Sequence, residues 1–194
     1  MPIAGKGMLL TSMNIDASDE ADFNRWYDRE HLEERVAIEG FIEARRYVAH
    51  QGSPKYLCLY STETIDVFNS AAYKARLASP TEWSKKTLAR FRNMIRAVAR
   101  ITISRGNGRG AALGIIRFRP SKENEGRLRS FLADALDPKS LDNIISMHLI
   151  ENDSVLSGPA AGIPSASTGA GDWFVLIDAT DVRAADLAVS LQLR

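Results

Sequence analysis

Phe23-Asn-Arg-Trp-Tyr-Asp-Arg-Glu-His-Leu-Glu-Glu-Arg-Val-Ala-Ile-Glu-Gly-Phe41, continued by Ile42-Glu-Ala-Arg-Arg-Tyr47, reads as an amphipathic helix that stops at a glycine and runs into an alternating strand. Phe23, Trp26 and Tyr27 stand at i, i+3 and i+4, the spacing that lays three rings on one helical face. That face continues at i+7 and i+11 with Glu30 and Glu34, and His31 falls at its margin. An unpaired buried charge is costly, so carboxylates set where an apolar stripe should continue point to a cleft rather than a packed core.

Working outward, Met8–Ile15 reads as a strand, and Ser18-Asp-Glu-Ala-Asp22 offers a Ser cap with acidic residues for the first helical turn. The helix is expected to run to about Ala37, with Gly40 at the turn out of it. Ile42–His50 alternates as a second strand, Gln51–Pro54 forms a hairpin turn, and Lys55–Thr62 is a third strand. A broken helical region comes next over Ile65–Leu77 and Glu82–Phe91, interrupted at Ser79-Pro80, before the long β-branched strand Asn93–Ser104. The order is β-α-β-β-α-β.

Three glycines within Arg105–Gly110 mark a joint between two halves, residues 1–104 and 111–194. The element order then repeats: strand Ala112–Arg119, a helix opened by Pro120-Ser121 and running to about Ala135, and strand Leu141–Glu151. A loop rich in Ser, Gly, Ala and Pro (Asp153–Gly171) leads to strand Asp172–Thr180, and Asp181 caps a helix over Val182–Gln192. On this reading the second half lacks its last strand. Repeated β-α-β-β units predict an α+β protein whose antiparallel sheets carry helices on one face and stack into a barrel-like core.

Composition bounds the function. The chain has 194 residues, 45% of them hydrophobic, and a net charge of only +1. So small a charge argues against nucleic acid or an anionic membrane as partner. The basic run Lys85–Arg100 agrees, because strand Asn93–Ser104 has no aromatic on which a base could stack, and Arg96 and Arg100 alternate with apolar residues as on a solvated or salt-bridged face. A lone Cys58, in the pattern of a small buried hydrophobe, excludes an internal disulfide and fits a reducing compartment. With no apolar stretch long enough for a leader or membrane span, the expected location is cytoplasmic.

The runs Trp26-Tyr-Asp-Arg-Glu-His31 and Gly40-Phe-Ile-Glu-Ala-Arg-Arg-Tyr47 resemble the dimeric α/β-barrel superfamily, in particular its EthD-like members, over roughly residues 8–104. The second half is similar in topology alone, since Glu123–Ala135 carries neither Trp nor His. The resemblance implies tandem ferredoxin-like halves with a ligand cavity between sheet and helices, and one active cleft per chain. Known members include cofactor-free monooxygenases, isomerases and haem proteins, so the resemblance locates a site without naming a reaction.

Each candidate residue has two readings. His31 could be a general base or metal ligand, or a helix-edge side chain bonded to a backbone carbonyl. Glu30 could be a desolvated acid, or the ion-pair partner of Arg45 or Arg46. Tyr27, four residues before His31, can touch its ring, while Phe23, Trp26, Glu34 and Arg46 would wall or charge the pocket. No His or Cys pair has metal-ligand spacing, so no metal and no bound cofactor are expected. Haem stays open through His148, whose other reading is a satisfied core histidine. The expected function is cofactor-free oxygenation or isomerisation of a small, partly apolar molecule, the alternative a non-catalytic ligand-binding or assembly protein. A short sheet edge in the second half predicts a homodimer.

Overall fold

The structure, a computed structural model, describes residues 3–158 and 171–192. Seven strands and six α-helices occupy these residues, and the chain divides into two compact units. The first takes residues 5–99 and 153–158, the second mainly 100–152 and 171–192. Most of the predicted Asp153–Gly171 loop lies outside the described residues.

The first unit contains β1 (Gly7–Asn14), β2 (Phe41–Val48), β3 (Tyr56–Thr62) and the first part of β4 (Arg92–Gly106), in the order β2-β3-β1-β4. With the intervening helices this is the predicted β-α-β-β-α-β unit. Antiparallel pairing sets Thr11 opposite Cys58 and Cys58 opposite Arg46, and the next row holds Leu9, Tyr60 and Ala44. Successive residues of a strand alternate faces, so these two rows share one side of the sheet. Helix α1 (Glu20–Trp26) packs on that side, its Phe23 and Trp26 joining Leu9, Met13, Tyr56, Cys58, Tyr60 and Val98 in one apolar cluster. Asp19 occupies the cap position of α1 without a side-chain cap bond, in place of the predicted Ser18. Glu20 and Asp22 still face the positive end of the helix dipole.

The predicted single helix is interrupted. Residues Tyr27–His31 form a π turn, in which Leu32 N–H donates to the Tyr27 carbonyl five residues back, before α2 (Leu32–Val36) resumes. The inserted residue rotates the later part of the helix about its axis, so His31 comes to the buried side. Gly40, with φ +87°, makes the turn into β2, and a Cβ there would meet Val67 Cγ2 at 2.5 Å. The rest of the unit is a 3-10 turn over Ile65–Asn69, then α3 (Ala71–Ala78) and α4 (Glu82–Leu88), each with its N-terminus capped by a hydroxyl, Ser70 and Thr81.

The second unit orders its strands β4-β6-β7-β5, with β5 at Ala112–Phe118, β6 at Ile144–Asn152 and β7 at Trp173–Ala179. Helices α5 (Glu125–Ala135) and α6 (Val182–Gln192) complete it, and no strand comes after α6 among the described residues. Neither unit closes into the expected barrel, since β2 and β5 remain edge strands. The glycine-rich segment is anchored rather than slack. Asp178, fully buried on β7, accepts hydrogen bonds from Arg109 Nε at 3.1 Å and Gly110 N–H at 3.2 Å, while Ser146 Oγ donates to the Gly108 carbonyl.

On β4, Arg96 is buried, not solvated as its alternation suggests, because its guanidinium donates to the carbonyls of Leu156 at 3.0 Å and Gly158 at 3.4 Å. On β6, His148 is buried with both ring nitrogens engaged, Nδ1 with Ser104 Oγ at 2.9 Å and Nε2 with Ser146 Oγ at 3.0 Å. A ring held in this way does not fit an axial haem ligand. Among the described residues no cluster of His, Cys, Asp and Glu could hold a metal ion.

Candidate functional site

A hollow of about 370 Å³ opens inside the first unit. Leu9 and Thr11 of β1, Tyr60 of β3, Met94 and Arg96 of β4, and Tyr27, His31, Glu34 and Arg35 of the interrupted helix line it. Tyr73, Arg76 and Leu77 of α3, Ser84, Lys85 and Leu88 of α4, and Phe91 also line it. Its volume suits one small organic molecule, and its lining mixes rings and aliphatic chains with a few polar groups.

His31 sits at 7% exposure with its ring stacked on Trp26 (centroids 4.2 Å apart) and edge-on to Tyr27 (5.1 Å). The i to i+5 stack on Trp26 is a product of the π turn. Burial, and then the charges of Arg35, Arg46 and Arg76, hold the His31 pKa well below its usual 6.5, so the ring is neutral at neutral pH. Its Nδ1 is buried with no hydrogen-bond partner among the described residues. The carbonyl bond that a helix-edge histidine would make is therefore missing at that nitrogen.

Tyr27 and Tyr60 are protonated phenols, since burial pushes both well above the usual value of 10. The Tyr27 hydroxyl has Met13 Sδ at 4.0 Å, with Thr11 and Cys58 close beside it. The hydroxyls of Thr11 and Tyr60 remain unpartnered, as does Nη1 of Arg35. Four buried polar atoms without partners thus belong to residues lining one hollow. Each such atom costs the folded protein about 1–3 kcal/mol, which a polar ligand would offset. Burial also raises the Cys58 thiol to about 11, leaving it inert beside the site.

Glu30 is not among the lining residues, and no arginine caps it. Its Oε1 accepts from Trp26 Nε1 at 3.1 Å, Thr81 Oγ at 2.6 Å and Ser84 Oγ at 3.1 Å, tying the π turn to the start of α4. Arg46 instead pairs with Asp28, donates to Asn24 Oδ1 at 2.7 Å, and lies 4.3 Å over the Tyr27 ring. Of the other expected pocket residues, Glu34 lines the hollow and pairs with Arg76 at 3.0 Å. Phe23 and Trp26 are fully buried behind it.

Thr11, Arg35, Tyr60, Tyr73, Ser84 and Phe91 join the site without having stood out in the sequence. A signal existed for some of them. Leu9-Thr11-Met13 and Tyr56-Cys58-Tyr60 place polar groups on the same strand face as apolar ones, and Arg35 comes one helical turn after His31. Nothing local assigns Tyr73 or Ser84, which α3 and α4 bring in from more than 40 residues away.

No family model matches the chain, and no curated protein is similar to it in sequence. Solved structures do share its architecture. A Fusobacterium nucleatum protein provisionally named a monooxygenase aligns over 97% of this chain and 82% of its own, with TM-score 0.56 and 9% identity. A provisional monooxygenase of Lactobacillus acidophilus gives 96% and 82%, TM-score 0.56 and 9% identity. An anthrone oxidase-like protein gives 96% and 78%, TM-score 0.60 and 8% identity. The likeness shows a shared α+β ferredoxin-like fold, and at such identities it reaches no further than the fold.

Proposed function

We propose that the hollow is the active site of an oxygenase-type enzyme acting on a small, partly apolar organic molecule without a bound cofactor, with His31 as proton acceptor. The observation that carries this is a neutral imidazole, nearly buried, in the wall of a cavity that also holds two protonated phenols. The reaction class is oxidation of an activated methylene. His31 takes one C–H proton, the carbanion reduces dioxygen, and the second hydrogen leaves as one oxygen atom departs in water. The methylene becomes a carbonyl, so one O2 is consumed and one H2O released. Tyr27 and Tyr60, as neutral donors, would stabilise the negative charge that develops on the substrate.

The names of the structural neighbours support an oxygenase reading, and the Trp26–His31 run supports EthD-like kinship within the superfamily. The open edge at β5 supports a homodimer. Oxygen uptake with anthrone and related aryl-activated methylene compounds, without added metal or flavin, tests the proposal. The wild type should consume O2 and form the ketone, and His31→Gln should lower the rate about 100-fold or more. A variant as fast as wild type sinks the catalytic role.

One observation favours a second reading, a non-catalytic binding protein. The burial that keeps His31 neutral, with the cations around it, also makes it a weak base until a negative charge arrives. Ligand binding with no O2 uptake across the panel would select that reading.

A further inference from the structure

The wall of the hollow carries four cationic side chains, Arg35, Arg76, Lys85 and Arg96, against one carboxylate, Glu34. Three of the four are engaged. Arg76 holds Glu34 at 3.0 Å, Lys85 holds Glu82 at 2.6 Å, and Arg96 binds the carbonyls of Leu156 and Gly158. Arg35 differs. Among the described residues it has no carboxylate within ion-pair distance, and its Nη1 is buried without a hydrogen-bond partner. Arg35 is half-buried and cannot shed its charge, so the part of its guanidinium shielded from water carries a penalty that an anion would reduce.

We infer that the ligand of this hollow is an aromatic carboxylic acid, bound as the carboxylate on Arg35 with its ring among Tyr27, Tyr60, Tyr73 and Phe91. This rests on reading the hollow as a ligand site and adds the chemical class of what enters it. The planar fork of Arg35 matches a carboxylate with two parallel N–H···O bonds. The unpartnered Thr11 and Tyr60 hydroxyls add neutral donors beside it, which also favour a ligand rich in acceptors. Burial, and after it the charges of Arg35, Arg46 and Arg76, suppress the protonation of His31, as expected where these cations face the ring. A carboxylate there offsets those charges, and so makes His31 a stronger base when the substrate is in place.

Isothermal titration with naphthalene-2-carboxylate and naphthalene-2-carboxamide separates charge from shape. The wild type is expected to bind the carboxylate at least tenfold more tightly than the amide. Arg35→Gln should erase that preference while leaving amide affinity within about threefold, and Arg29→Gln, the same charge change at an exposed position two turns earlier, should keep it. Equal affinities in the wild type, or an undiminished preference in Arg35→Gln, overturn the carboxylate assignment and leave the ligand site standing. Binding of neither probe to the wild type overturns both. The wild-type comparison needs no variant, so a misfolded Arg35→Gln does not shelter the proposal.

Discussion

Replacing His31 with Phe should leave the protein at least as stable as the wild type at neutral pH and flatten its response to acid. Phe keeps a ring of similar size against Trp26 and Tyr27 and deletes the buried Nδ1 that has no partner. Removing one such orphan is worth about 1 kcal/mol or more in favour of the variant. The pH dependence is a matter of linkage. The folded-state pKa of His31 lies well below 6.5, whereas the unfolded chain titrates near 6.5, so the unfolded state binds more protons under mild acid. The stabilising difference is complete above pH 6.5 and is lost as pH falls from 6.5 toward the depressed folded value. If the folded ring stays neutral, the loss attributable to His31 is about 1.4 kcal/mol by pH 5.5 and about 2 by pH 5. Urea denaturation of both proteins at pH 7.5, 5.5 and 5 isolates it, because all other titrating groups are common to the pair. Parallel stability–pH curves for His31→Phe and wild type would refute the buried, neutral histidine on which the site depends.

Glu30→Ala should destabilise the fold by about 2–4 kcal/mol, since a single carboxylate oxygen ties Trp26, Thr81 and Ser84 together, and Glu30→Gln by less than half as much. Urea midpoints give both values, and equal effects would show that a neutral amide oxygen cannot take the carboxylate's place. In the second unit, Asp178→Ala should cost about 3–5 kcal/mol, because it removes the buried carboxylate that accepts from Arg109 Nε, Gly110 N–H and Ser146 Oγ. Burial raises the Asp178 pKa, but the His148 ring, the Arg109 charge and the Gly110 N–H together bring it below its usual value. Its contribution is therefore present above the unfolded carboxylate range near pH 4 and disappears as pH falls below it, whereas Asp178→Ala should show no such loss by thermal melts between pH 5 and 3.

The architecture was legible because it rests on local chemistry. The apolar run in Met8–Ile15, the Tyr and Leu content of Lys55–Thr62, the alternation of Ile42–His50, the ring spacing of Phe23, Trp26 and Tyr27, and Gly40 after the helix each set an element within a few residues of its observed bounds. The π turn was not legible. One inserted residue in a helix leaves no mark on a 3.6-residue pattern, yet it carried His31 from the margin to the buried side and left Glu30 to the α4 cap. Arg96 shows the same limit, since a strand's alternation does not reveal whether a neighbouring turn will cover its solvent face.

From the sequence alone came the strand and helix order, the ring-bearing helix and the absence of a metal-binding pattern, all consequences of short-range spacing. Only the folded molecule decided which polar atoms go without partners, which arginine lacks a carboxylate, and that a hollow adjoins His31. Those properties depend on side chains brought together from α3, α4 and three strands. Desolvation and charge pairing are sums over such distant neighbours, and no local spacing encodes them.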